Sequence, residues 1–475
     1  MIIKEFEGIF DGFLPDARIE KRAEKVIKDM LTFGKVTVNK FCKTNTEKIG
    51  AYRMFGNKNF TCNELADGIV SRCKANHGDG HLLCIQDTTE FNFTHHLKRI
   101  GKQDKDIGPL AKNSNAGFFC HPMLVVNEND KIPIGISNIH LWNRDWDKQN
   151  KYERNYWQQD INQKESSRWI ESARLSQSVL EKASMLTIIG DREADIFAEF
   201  TTVPDDRTHL LIRSRIDRRL EEEDCKLYEK LSQQEESTVY NLEIKGNKKR
   251  KPRTAKMSLK YVKVRIKRPR KLDKQGYPEY VDMWAVEARE QQETVPKAEK
   301  PVIWRLLTTH PVIKAETAMK CLEWYSNRWF IEEMFRIMKS KGFELESSQL
   351  ESGASLKKQV VMALQVALTI MKLKLSLNTE EVINAGQVFT KQQIEFIELL
   401  LKNEIEGKTK KQQNPYPNQS LAWSAWAIAR LGGWSGYESH GPPGYISIKN
   451  GLDNFHNKFD GYIMAMKLFK DVYKE

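Results

Sequence analysis

The chain has 475 residues, 40% of them apolar and 10% aromatic, too long for one ordinary core and too hydrophobic for a disordered protein. A formal charge of +12 points toward an anionic partner, and seven scattered cysteines without a CxxC pair argue against a disulfide frame or a zinc site. About three domains are expected in a cytoplasmic protein, because MIIKEFEGIFDGF is no signal peptide and no uninterrupted apolar run reaches the ~20 residues of a membrane span.

Residues 1–70 read as a helical unit, with helices predicted over Asp16–Phe33, Asn45–Phe55 and Cys62–Cys73. Arg18 and Arg22 share a helix face and Arg53 adds charge further on, a pattern that fits a nucleic-acid reader or ordinary surface charge. His81–Gln86 is a short apolar run after GDG, predicted as a buried strand ending at Asp87. Strands are also expected over Phe118–Val126 and Ile132–Trp142, joined by the turn-rich NEND at 127–130. An amphipathic helix over Glu165–Ala183 precedes the buried strand Met185–Gly190, which delivers Asp191 at its tip. A fifth strand, His209–Arg213, completes a mixed α/β order with carboxylates at strand ends.

Residues 217–300 interrupt that order as a charged insertion, with strands expected over Val239–Ile244, Met257–Ile266 and Tyr280–Ala288. Its run KGNKKRKPR, 245–253, has six cations in nine residues and suits a solvated hairpin tip or a phosphate-tracking loop. Pro301–Thr308 restores an apolar strand carrying Trp304. Cys321–Gly342, CLEWYSNRWFIEEMFRIMKSKG, then lacks Pro and internal Gly and is predicted as one helix. At roughly 100° per residue, Phe330, Ile331, Met334, Ile337 and Met338 form an apolar face, while Tyr325, Arg328, Glu332 and Lys339 fall within an arc of about 60° opposite. Beyond it, Leu356–Leu377 reads as a long apolar helix too cationic to be a membrane span. Lys391–Leu401, a polar loop Asn403–Gln419, Leu421–Leu431 and a terminal helix from about Gly451 suggest a packing or association unit.

Three carboxylates stand out by placement: Asp87 and Asp191 at strand tips, and Glu332 on the helix after the last strand. Singly, a strand-end Asp is more often a cap or turn former. Together they form a set of hard oxygen donors of the kind that shares a pair of Mg²⁺ ions in phosphodiester cleavage, with Arg328 and Lys339 placed to hold phosphate.

The pattern Tyr325-x2-Arg328-x3-Glu332-x6-Lys339 resembles the Y-R-E-K signature of the bacterial DDE transposases of the IS-four group. GDREADI at 190–196 and QDTT at 86–89 are similar to the two aspartate motifs of that family, and GAYR (50–53), KES (164–166), AIARLGG (427–433) and FDGY (459–462) extend the likeness along the chain. The resemblance implies a ribonuclease-H-like catalytic core at 71–375 interrupted by a β-rich insertion at about 217–300. It also implies a helical end-binding domain at 1–70 and a helical dimerisation domain at 376–475. By the same resemblance, Asp87, Asp191 and Glu332 would bind two Mg²⁺ ions, with Mn²⁺ as substitute. Tyr325, Arg328 and Lys339 would grip the DNA strand, Trp304 would stack on a flipped base, and Arg213, Arg18, Arg22 and Arg53 would contact DNA elsewhere. The implied activity is cut-and-paste transposition of double-stranded DNA by a homodimer in the bacterial nucleoid, through nicking, hairpin formation, hairpin opening and strand transfer. A metal nuclease of the same fold that does not join DNA, and a silent DNA-binding repressor, are the competing readings.

Overall fold

The structure is a computed structural model that describes residues 4–472 apart from 113, 148–158, 223–224, 247–250, 273–275, 298, 340–341 and 438–439. Its centre is a mixed sheet of β1 (His81–Gln86), β2 (Thr89–Asn92), β3 (Gly108–Pro109), β4 (Ala116–Asn127), β5 (Pro133–Trp142), β6 (Met185–Gly190), β7 (Thr208–Arg213), β8 (Thr238–Ile244), β9 (Arg253–Lys267), β10 (Tyr280–Glu290) and β11 (Ile303–Thr308). The long β4 pairs antiparallel with β5 along one edge and with β1, then β2, along the other. From β1 the sheet continues in parallel through β6 to β7, then antiparallel through β11, β10, β9 and β8. The insertion strands therefore do not form a separate sheet; they lengthen the central one from the edge of β11.

The parallel register sets the geometry that matters most. His81 lies opposite Met185 and Ile85 opposite Ile189. Carried two residues further, the same offset sets Asp87 beside Asp191, on strands spaced about 4.8 Å apart. Leu82 to Ile85 and Leu186 to Ile189 are all buried and, apart from the hydroxyl of Thr187, apolar.

The helix expected over Cys321–Gly342 is instead two helices, Ala315–Ser326 and Trp329–Met338. At the junction the backbone tightens: Asn327 N–H donates to Trp324 O, Arg328 N–H to Tyr325 O, and Phe330 N–H to Asn327 O. The Asn327 amide also donates to Glu323 O at 3.2 Å, drawing a carbonyl away from regular pairing. The expected apolar face is borne out from Ile331 to Met338, but Tyr325, assigned to the polar arc, is only 4% exposed.

The N-terminal helices begin where their caps dictate: Asp16 accepts from the N–H groups of Arg18 and Ile19, and Thr44–Glu47 and Thr61–Glu64 form capping boxes. These helices do not stand apart. They share one apolar core with the helix Gly353–Ser376 and with the C-terminal helices. Main-chain carbonyls of the first unit are held by that central helix, Lys358 reaching Phe55 O and Asn57 O and Gln359 reaching Val36 O. Gly353–Ser376 is, among the described helices, the one long and apolar enough to cross a membrane, and 89% of its apolar window is buried inside the protein. The terminal helix starts at Tyr445, ahead of the expected Gly451. The earlier start adds Ile448 to the apolar stripe of Leu452, Phe455 and Phe459. Gly451 then lies inside the helix, where a Cβ would come within 1.8 Å of Ile428 O.

Candidate catalytic carboxylates and nucleic-acid cleft

Asp87 and Asp191 leave their strands at the same edge of the sheet, and each carboxylate is fixed in the same way. Thr88 N–H donates to Asp87 Oδ1 at 2.7 Å, and Glu193 N–H donates to Asp191 Oδ1 at 2.7 Å. Burial and then the neighbouring Asp191 charge push the Asp87 carboxyl up to about 7, against the pull of the Thr88 N–H and the Arg328 guanidinium. Two carboxylates this close favour either a shared proton or a bound cation.

Glu332 sits in the first turn of Trp329–Met338, where the helix dipole favours negative charge. Arg328, at the N-terminus of the same helix, joins it to the first aspartate: Nη1 donates to Asp87 Oδ2 at 3.0 Å and Nη2 to Glu332 Oε1. The guanidinium thus occupies the place between two of the three expected ligands. Among the described residues, no three His, Cys, Asp or Glu side chains stand close enough together to hold an ion. The donor set still suits a hard divalent cation, because Asp87 Oδ2 and Glu332 Oε1 already converge on a single positive group. Arg328 must swing out before an ion can take that place.

Tyr325 packs edge-on against Trp304, ring centroids 5.7 Å apart, and burial raises its phenol while Arg328 and Arg213 lower it. Lys339 donates to Thr89 Oγ1 at 2.6 Å and lies over the Phe91 ring, and burial lowers its ammonium. The four-residue signature is therefore gathered around the Asp87 edge, although not as one solvated face. Arg213 lines a cleft of about 550 Å³ beside Asp191 together with Arg192, Arg215 and Arg305. Arg305 is held there by Glu287 at 2.6 Å and stacks on Tyr228.

The remaining expected contacts lie on the N-terminal helices. Arg18 is exposed, Arg22 lies across Gly50, and Arg53 is exposed one turn beyond Gly50. None of them touches the carboxylates. Of the basic run 245–253, residues 247–250 lie outside the described residues. Arg253, at its end, is paired with Glu290 and Glu299 and so faces the protein.

Sequence reasoning missed Arg192, Arg215 and Arg305 in the cleft, and it missed Trp329. That indole is 60% exposed and follows Arg328 directly, in the first turn of the helix that carries Glu332. Its place inside YSNRWF was the one signal that pointed to it. Two larger cavities lie elsewhere, about 680 Å³ between Ala17–Thr32 and the terminal helix, and about 890 Å³ along residues 216–222, 225–226 and 267–271. No protein-family model matches the chain.

Proposed function

We propose that this protein is a DDE-type DNA transposase with a ribonuclease-H-like catalytic core. The observation that carries the reading is the side-by-side placement of Asp87 and Asp191 by the β1–β6 register, with Glu332 drawn to the same edge through Arg328. The strand order β5-β4-β1-β6-β7, two antiparallel pairings followed by two parallel ones, supports that core. The cleft arginines and the overall positive charge support a nucleic-acid substrate.

Asp87, Asp191 and Glu332 would hold two Mg²⁺ or Mn²⁺ ions. When bound, these ions activate the attacking water or 3′-hydroxyl and steady the leaving oxygen. Arg328 and Lys339 pair with phosphates flanking the scissile bond, each leaving its present partner to do so. Arg192, Arg213 and Arg215 follow the backbone away from Asp191. Trp329 and Trp304 offer stacking surfaces to an unpaired base. Arg18, Arg22 and Arg53 hold the transposon end. Nicking, hairpin closure, hairpin opening and strand transfer are all in-line phosphoryl transfers, so one site serves each in turn. Met464, Met466 and Leu468, exposed on the terminal helix, support association into a homodimer.

The decisive experiment is Glu332→Ala on end DNA and on a pre-cut end with plasmid target. The expected result is retained end binding with nicking and strand transfer abolished. Nicking at the wild-type rate would sink the site assignment. Cleavage without joined product in the wild type would indicate a nuclease. The seat of Arg328 between Asp87 and Glu332 favours a second reading, a non-catalytic DNA binder, which end binding without Mg²⁺- or Mn²⁺-dependent nicking would establish.

A further inference from the structure

Arg168 lies on the helix Ser167–Val179, far in sequence from both aspartates, yet it touches a residue within two positions of each. Its Nε donates to Thr88 Oγ1 at 3.0 Å and its Nη2 to Glu193 Oε2 at 2.9 Å, while Nη1 is anchored on Glu165 O at 2.6 Å. Thr88 and Glu193 are the two residues whose N–H groups fix Asp87 Oδ1 and Asp191 Oδ1. One planar guanidinium thus grips both residues that orient the carboxylates. The Trp142 and Trp169 rings, 5.1 and 5.6 Å from its centre, keep it in place.

A second route runs beneath the first. Thr88 Oγ1 meets His121 Nδ1 at 2.9 Å, His121 Nε2 meets Gln86 Oε1 at 3.1 Å, and Gln86 Nε2 donates to Glu199 Oε1 at 3.2 Å. One proton assignment satisfies every link, with each group donating to the next from Arg168 to Glu199 and His121 protonated on Nε2. Glu199 lies on the helix Phe197–Thr202, just after the Asp191 turn, so this route also ties the tip of β1 to the segment following β6. Glu193 is exposed and its arm is screened by water, so the half-buried Thr88 arm carries more of the hold.

We infer that Arg168 is a positioning residue that sets the spacing of Asp87 and Asp191 for ion binding. The inference rests on the proposed metal site and goes beyond it, because Arg168 itself supplies no ligand. Lysine cannot replace it, since a single ammonium lacks the fork needed to span Thr88 and Glu193.

The test is Mn²⁺ titration of the full-length protein followed by electron paramagnetic resonance, with thermal stability and end-DNA affinity measured alongside. Arg168→Gln is expected to weaken Mn²⁺ binding by about 10- to 100-fold, the range for partners that orient metal ligands, with end-DNA affinity unchanged. Its nicking should recover as Mn²⁺ is raised, and Arg168→Lys should stay weakened. Thr88→Val should weaken Mn²⁺ binding on its own and add little to Arg168→Gln in a double-mutant cycle. If Arg168→Gln does not fold, Thr88→Val decides. Wild-type Mn²⁺ affinity in folded Arg168→Gln, or in Thr88→Val when that variant decides, overturns the inference while leaving the metal site standing. Wild-type protein showing no Mn²⁺ binding that Asp87→Asn abolishes overturns the metal site, and this inference with it.

Discussion

Arg328→Met tests whether the guanidinium and a divalent ion compete for one place. The Arg328, Asp87 and Glu332 side chains are 15%, 19% and 34% exposed, so the triad is neither fully buried nor freely solvated. Removing one partner of a buried pair costs about 3–5 kcal/mol, and surface pairs count for less than 1, which brackets the cost here at about 2 kcal/mol. Part of that cost is relieved because Asp87, already pushed up to about 7, loses a neighbour that lowers it and holds its proton at neutral pH. In EDTA the variant should therefore unfold about 2 kcal/mol more easily than the wild type. An ion at a hundred times its dissociation constant stabilises a folded site by about 2.7 kcal/mol, and in the wild type that gain is reduced by the work of displacing Arg328. Saturating Mg²⁺ should then stabilise Arg328→Met more than the wild type and narrow the gap by about 1 kcal/mol or more. The assay is urea unfolding with EDTA and with Mg²⁺. Equal Mg²⁺ stabilisation of both proteins would refute the competition.

Three further outcomes are expected. His310 is buried against Thr187 and stacked on His209, and burial lowers it from 6.5 to about 2. The unfolded chain takes up that proton first, so stability is lost as pH falls below about 6.5, by about 2 kcal/mol at pH 5; urea midpoints of His310→Gln should fall less steeply over this range than those of the wild type. Lys358→Met removes a buried ammonium from Phe55 O and Asn57 O, at about 1–3 kcal/mol, and hydrogen exchange should quicken first over residues 45–57. With 2-aminopurine at the extruded base, Trp329→Ala should lose more fluorescence quenching than Trp304→Ala, because Trp304 is committed to Tyr325 while Trp329 is 60% exposed.

Much of the fold was legible because apolar runs were bounded by turn chemistry. His81–Gln86, Met185–Gly190, Asn45–Phe55 and Leu421–Leu431 all occur as expected. The break at Asn327–Arg328 was not legible, since it involves neither Gly nor Pro and depends on a side-chain amide taking Glu323 O. The strand Thr89–Asn92 is too short for its alternation to register, and it forms because β4 runs on past β1 and offers an edge. The carboxylates could be named from strand ends and spacing. Their hydrogen-bonded support could not, because Arg168 reaches partners 80 and 25 residues away through folding alone.

The unbroken pairing from β5 to β8 has a mechanical consequence. β11 carries Trp304 and is hydrogen-bonded on one side to β7, next to Asp191's strand, and on the other to the insertion. A sheet spliced in this way lacks a hinge between the strand ends that would cut and the strands that would lie along the duplex. On the proposed reading the protein is the anvil and the duplex the workpiece. The distortion that brings a scissile phosphate to the carboxylates falls on the DNA, where bends of 40–90° cost about 1–6 kcal/mol. Ends whose terminal steps unstack easily would then be cut fastest, even where no side chain reads their bases.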